Sequence, residues 1–282
     1  MASQIKSRLA LIAKIVVAVV LITYMVRAGH LDPKDLWALM TPFNVLVALF
    51  LVGCTTFIAA WRWIILLHAR GFHIPLRYGA SLYLIGIFFN HALPGSVGGD
   101  VVRGYYLVSD NPGRRMDGIL SIFIDRILGL YSFFILTLIA VAFDFEFVAN
   151  HEKIRWVALM SALVFAGMTT FFVIVFSERL SKLFGLSLLE KHVNKVHKLV
   201  VAFQHFGKDR KSLALSVGVS LIGQITTMVF FYQIAMISGE TDVTWQAVLF
   251  AVPMGFLVTA VPIAPAGIGV GQVAFSYLFQ TY

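Results

Sequence analysis

Residues Phe88–Leu107 read FFNHALPGSVGGDVVRGYYL. An apolar run stops at Pro94, passes Gly95, Gly98 and Gly99, and then presents Asp100 and Arg103. Proline has no amide hydrogen and glycine lets the chain turn, so together they end a helix. A broken helix leaves bare amide and carbonyl groups. In hydrocarbon such groups are tolerated only where they are buried in protein or line a wet cavity. The stretch is therefore either a surface loop with Asp100 and Arg103 in water, or a broken helix that builds a polar site at membrane depth. The rest of the chain favours the second.

Of the 282 residues, 59% are hydrophobic and 13% charged, and the mean hydropathy is +0.87. A soluble domain carries roughly 25% charged residues. Too little polar surface is left here to face water. The composition points to an all-α, polytopic integral membrane protein with about six to eight transmembrane helices. The formal net charge of +8 fits cytoplasmic loops facing anionic lipid rather than nucleic-acid binding. The single cysteine, Cys54, lies in an apolar run and reads as a small packing residue. The N-terminus has a basic start and a long apolar stretch with no small-residue cleavage site after it, the pattern of a retained signal anchor.

Apolar segments long enough to span fall at about 9–27, 44–67, 119–143, 155–176 and 212–238. Lys6 and Arg8 place the N-terminus in the cytoplasm. Arg70, Arg77, Arg114 and Arg115 mark further inside loops, and Asp144, Glu146, Glu152, Glu240 and Asp242 the outside ones. This sidedness makes 78–113 enter and return on the cytoplasmic side. The segment 246–282, also interrupted by Pro and Gly, enters from the other face. Two interrupted segments of opposite entry are the mark of an inverted repeat. The stretches PGSVGGDVVRGYYL (94–107) and PAGIGVGQVAFSYL (265–278) align without gaps and share Pro94/Pro265, Gly98/Gly269, Val102/Val273, Tyr106/Tyr277 and Leu107/Leu278. Residues 1–282 read as a single transmembrane domain. Segment 178–211 carries Val193, Val196, Val200 and Phe203 at helical spacing among lysines, as a basic amphipathic helix on the inner leaflet would.

Two constellations carry chemistry. In the first, Gly98 and Gly99 permit close approach of a ligand, and a helix starting near Asp100 would aim its positive end at an anion. Arg103 can fork onto phosphate oxygens, and Asp100, three residues away, can hold it. In the second, SIFIDRILGLYSFF (121–134), Asp125 and Arg126 interrupt an apolar helix. Ionisable residues there face the protein interior and either line a cavity or form a structural pair. Adjacent residues point in different directions, so pairings of Arg126 with Asp100 and of Asp125 with Arg103 both stay open. Arg62, between Trp61 and Trp63, reads as snorkelling from the cytoplasmic helix end. His91 reads as a spectator or helix cap. GSVGGD lacks the Gly-Lys-Ser/Thr of a P-loop, GIGVGQ (267–272) follows no strand, and the histidines lack metal-ligand spacing. The residues therefore call for no catalytic group, no metal and no cofactor.

FFNHALPGSVGGDVVRGYYL, DRILGL and VPIAPAGIGVGQVAFSYLF together resemble the lysylphosphatidylglycerol synthase/flippase transmembrane-domain family. This family includes the membrane half of the bacterial multiple peptide resistance factor and many stand-alone proteins. The resemblance covers nearly the whole chain. Its first motif is Asn90, Leu93-Pro94-Gly95, Gly98-Gly99-Asp100 and Arg103; its second is Pro265-Ala266-Gly267-Ile268-Gly269. The family often has an acid near the position of Gln272, so a charge-dependent role does not carry over there. The resemblance implies inverted halves around a lipid-accessible cavity in the cytoplasmic membrane of a prokaryote. With it, substrate contacts are expected from Asn90, Pro94, Gly95, Gly98, Gly99, Asp100, Arg103, Asp125 and Arg126, and from Pro265, Gly267 and Gly269. No soluble aminoacyltransferase domain is expected within these residues, and a final helix is expected to be short or to follow Tyr282. Three functions remain. One is a flippase for an anionic phospholipid or polyprenyl-phosphate lipid. Another is an integral-membrane transferase on a lipid-linked substrate, with Asp100 or Asp125 as base. The third is a non-catalytic partner of a separately encoded lipid-modifying enzyme. Homo-oligomers are compatible with all three.

Overall fold

The computed structural model describes residues 40–92, 98–177, 203–238, 242–260 and 270–281, with Trp37, Leu180 and Val201. The expected span 9–27, the turn at Pro94 and Gly95, most of the basic segment 178–211, and the motif 265–269 lie outside the described residues.

The first long helix among the described residues, α1 (Pro42–Ala69), starts where Thr41 Oγ1 accepts the Asn44 amide at 3.2 Å and Pro42 takes the first position. It stops before Gly71, whose φ of 73° suits glycine. The helices α2 (Leu76–Ala92) and α3 (Gly98–Asp110) follow, then a 3-10 turn at Pro112–Arg114. Next come α4 (Arg115–Phe143), α5 (Phe145–Asn150) and α6 (Glu152–Phe176). α7 (Arg210–Ile237) is capped by Asp209, which accepts the Ser212 amide at 3.1 Å. α8 (Trp245–Ala260) and α9 (Val270–Thr281) follow. All regular structure among the described residues is helical.

Four of these helices, α1, α4 with its preceding turn, α6 and α7, are long and apolar enough to cross a membrane. They match four of the expected spans. Their outward faces carry side chains such as Leu46, Leu49 and Phe50, all well exposed, as lipid rather than water allows. The chain is a multi-pass membrane protein.

The two interrupted segments become helical hairpins. At 17 and 13 residues, α2 and α3 are each too short to span alone. Their open ends meet, with Tyr78 in the first turn of α2 donating to Asp110 at the end of α3. Further in, the backbones cross so closely that a Cβ on Gly99 would lie 1.7 Å from the Gly86 carbonyl oxygen. α8 and α9, of 16 and 12 residues, pack on each other through Phe256 and Phe275. Their open end meets α5, where Phe250 contacts Phe147, and the start of α6, where Lys153 lies over the Tyr277 ring.

α4 is the shared wall. Near its start, Ile122 joins Leu107 of α3, Trp63 of α1 and Leu82 of α2 in one core. Near its end, Ala140 joins Phe250 of α8 and Leu278 of α9 in another. Ile122 and Ala140 are about 27 Å apart at 1.5 Å per residue, so the hairpins open at opposite ends of α4. The order long, short, short recurs as α1–α2–α3 and α7–α8–α9, and α1 packs along α7. This is the geometry that an inverted repeat requires.

The open end of the first hairpin is fastened. Arg70 pairs with Asp117 at 2.8 Å, and Arg114 Nη1 donates to the carbonyls of Arg70 and Gly71. The loops before α2 and after α3 therefore share one end of the bundle.

Candidate functional site

Asp125 of α4 has no exposed surface. A carboxylate in that position needs a partner for each oxygen. Arg62 of α1 donates Nε to Oδ1 at 2.7 Å, and Arg103 of α3 donates Nη2 to Oδ2 at 3.2 Å. The remaining groups extend the network to both sides. Arg62 Nη1 donates to Ser220 Oγ of α7 at 3.0 Å. Arg103 Nε lies 3.1 Å from Asp100 Oδ1, an ion pair without hydrogen-bond geometry. Arg126 of α4 then grips Asp100 with Nε and Nη2, at 2.8 and 3.0 Å, in the two-pronged geometry that guanidinium and carboxylate favour. A continuous chain of charge runs Arg62, Asp125, Arg103, Asp100, Arg126.

Packing fixes this network. The Arg103 guanidinium lies over the rings of Trp63 and Tyr83, 4.7 and 5.0 Å from their centroids. Trp63 is itself held by donating Nε1 to Ser121 Oγ at 3.1 Å. Gly129, on the next turn of α4, leaves room for Arg62; a Cβ there would stand 3.0 Å from Arg62 Nη1.

Both ends of the network, Arg62 and Arg126, border a cavity of about 1200 Å³ between α1, α2, α3, α4 and α7, bounded also by Phe256 of α8. Ordinary small-molecule pockets run to about 300–1,000 Å³, so this space suits a larger occupant. Most of its wall is apolar. Arg62, Asp100 and Arg126 supply the charge, and Ser220, Gln224 and Thr227 of α7 a polar strip. Tyr105 and Phe123 belong to the same wall and are exposed, so the cavity is not closed on the α3–α4 side.

A model of the lysylphosphatidylglycerol synthase TM region matches residues 11–282. The chain belongs to this family. No curated protein and no solved structure matches it. As a lysylphosphatidylglycerol synthase TM region, it is a membrane protein of lipid modification or flipping.

Within this lysylphosphatidylglycerol synthase TM region, the structure joins residues that the sequence left separate. Both open pairings form: Asp125 with Arg103, and Arg126 with Asp100. Asp100 also braces Arg103, as the spacing of three suggested. Two sequence expectations meet a different geometry. Arg62 does not snorkel. It turns inward and is 7% exposed, because the buried Asp125 carboxylate offers it a stronger partner than the interface does. Arg103, expected at a phosphate, is 2% exposed and outside the cavity wall. Arg126, with its side chain 51% exposed, stands in that wall instead.

One backbone amide of the first motif, that of Gly99, is also committed. Asn90 Oδ1 accepts the Gly99 amide at 2.8 Å, so this group serves the α2–α3 hairpin. Gly98 opens α3. Pro94, Gly95, Pro265, Gly267 and Gly269 lie outside the described residues. Sequence reasoning missed Arg62, Tyr83, Ser220 and Gln224. A signal existed for the α7 pair: Ser216, Ser220 and Gln224 recur every four residues and form one polar stripe on a largely apolar helix.

Proposed function

We propose that this protein moves a lipid with an anionic, phosphate-bearing headgroup across the cytoplasmic membrane of a prokaryote. The observation that carries this reading is Arg126, half exposed in the wall of a large, mostly apolar cavity and held, among the described residues, on one edge by Asp100. A guanidinium fork in apolar surroundings suits phosphate oxygens. The apolar part of the wall suits acyl chains. The opposed hairpins supply the moving parts, because rocking one half against the other would open the cavity alternately to the two leaflets. A transferase reading needs a carboxylate free to take a proton, whereas Asp125 is enclosed by Arg62 and Arg103 and Asp100 is gripped by Arg103 and Arg126.

The test is lipid movement in proteoliposomes, with fluorescent phospholipids and polyprenyl phosphates as probes. The intact protein is expected to move at least one anionic probe. Arg126→Gln is expected to slow that movement by at least about tenfold, or 1.4 kcal/mol, while the protein stays monodisperse. Movement of no probe by the folded wild type would sink the proposal, and unchanged movement by Arg126→Gln would remove Arg126 from it.

A further inference from the structure

The network beside the cavity has a definite charge. Arg62, Arg103 and Arg126 contribute three positive charges, and Asp100 and Asp125 two negative ones. Arginine does not lose its proton in proteins. Among the described residues one positive charge is therefore left without a partner inside a mostly apolar-walled space, where an uncompensated charge is costly.

Its location follows from burial. Asp125, Arg103 and Arg62 are 0%, 2% and 7% exposed. The Arg126 side chain is 51% exposed. The unmatched charge thus meets the cavity at Arg126. Its donors point the same way. A guanidinium has five N–H groups, and Asp100 takes one from Nε and one from Nη2. The Nη1–Nη2 edge keeps a second pair of parallel N–H groups, with no partner among the described residues.

We infer that the cavity selects a phosphodiester monoanion over a phosphomonoester, with Asp100 as the residue that sets the charge limit. This deepens the lipid-translocation proposal and rests on it. A phosphodiester brings one negative charge and two non-bridging oxygens, which match one unmatched charge and one open fork. A phosphomonoester near neutral pH carries about −1.5 to −2. Its excess charge would lie against the Asp100 carboxylate, which already occupies the other edge of Arg126. By spending part of the arginine charge, Asp100 limits what the cavity will neutralise. The inference also ranks the two lipid classes: a diacyl phosphodiester is preferred to a polyprenyl monophosphate.

The experiment varies the net charge of the network in both directions, in the full chain. Wild type stands at one positive charge, Asp100→Asn at two, and Arg126→Gln at zero. Proteoliposomes carry fluorescent phosphatidylglycerol (a monoanionic diester), phosphatidic acid (a monoester) or phosphatidylcholine (a zwitterion). Wild type is expected to move the diester about tenfold faster than the monoester, the scale of one charge contact. Asp100→Asn is expected to shift that ratio towards the monoester, and Arg126→Gln to level phosphatidylglycerol with phosphatidylcholine. Because Asp100 also braces Arg103, Asp100→Asn can fail to fold; the half-exposed Arg126→Gln then carries the test. In parallel, thermal stabilisation of the detergent-solubilised protein is read with short-chain versions of the lipids and with chain-free glycerophosphoglycerol. Stabilisation by the short-chain diester alone supports a lipid headgroup as ligand. Equal stabilisation by the chain-free compound supports the phosphodiester chemistry and assigns it to a soluble ligand. If no lipid moves yet the diester still stabilises more than the monoester, the translocation proposal falls and the charge rule stands. Equal response to diester and monoester by wild type, or the same ratio in wild type and folded Asp100→Asn, overturns the inference.

Discussion

At Asp125 a carboxylate with no exposed surface holds Arg62 on one oxygen and Arg103 on the other, so helices α1, α3 and α4 meet through a single side chain. Removing one member of a buried ionic group costs more than the group contributes, because it strands the remaining charges. Asp125→Asn should therefore lower stability by about 3–5 kcal/mol, read as thermal or denaturant unfolding in detergent. Adding Arg62→Met should recover part of the loss, since one of the two stranded cations is then gone. A double variant no more stable than the single one would show that Arg103, not Arg62, carries the cost. At this scale the sequence was half legible. Asp125 and Arg126 stood out as charges within an apolar run. Their partners did not, because neighbours in sequence leave a helix about 100° apart and find partners only through the fold. Arg62 shows the limit best. A snorkelling arginine and a buried one share the same local pattern, and Arg62 and Asp125 are 63 positions apart.

The α2–α3 hairpin depends on the contact between Gly86 and Gly99. A Cβ on Gly99 would stand 1.7 Å from the Gly86 carbonyl oxygen and 2.8 Å from the Asn90 side chain. Backbone cannot yield as a flexible side chain does, so Gly99→Ala should part the two helices and draw Asp100 and Arg103 out of register. The expected result is loss of the monodisperse peak in size-exclusion chromatography. Gly53→Ala is the control: a Cβ there has nothing within 4 Å, and its peak should be unchanged. The cap of α7 makes a smaller prediction. Asp209 lies before the helix, and hydrogen bonds from Ser212, first its hydroxyl and then its amide, hold its carboxyl below the ordinary value of 3.8. A depressed carboxyl contributes stability that is present above the unfolded-state value and is lost as pH falls through the folded one. Asp209→Ala should cost about 1 kcal/mol at pH 7, and its difference from wild type should shrink below about pH 4, checked by unfolding at both pH values. A constant difference would mean that the cap does not depend on the charged carboxylate. The hairpins themselves were legible from Pro and Gly in apolar runs. The crossing point was not, because Gly86 reads locally as one more glycine in a helix, and only the return of α3 gives it a neighbour.

Over the whole molecule, the sidedness of the loops and the directions of the hairpins must agree. Arg114 reaches the carbonyls of Arg70 and Gly71, so the chain before α2 and the chain after α3 share an end. The acidic turn around Asp144, Glu146 and Glu152 lies at the far end of α4. The sequence predicted this arrangement from charge alone, because short basic loops stay in the cytoplasm whatever the helices between them do. What charge could not supply was depth: the two hairpins meet α4 about 27 Å apart, a separation set by packing on Ile122 at one end and Ala140 at the other. With the lone Cys54 replaced by Ser, single cysteines at exposed positions test the arrangement. His73→Cys and Gly113→Cys should both react with a membrane-impermeant maleimide only in inside-out vesicles, and Glu152→Cys only in intact cells. The positions 73 and 113 bracket the whole first hairpin, so labelling them from opposite sides would mean that α2 and α3 together cross the membrane. The second hairpin would then have no inverted counterpart, and alternating access by rocking halves would lose its structural basis. Labelling of both from the cytoplasmic side, with 152 from the other, leaves a chain that enters and returns between them, carrying Asp100 and Arg103 to the depth where α4 holds Asp125 and Arg126.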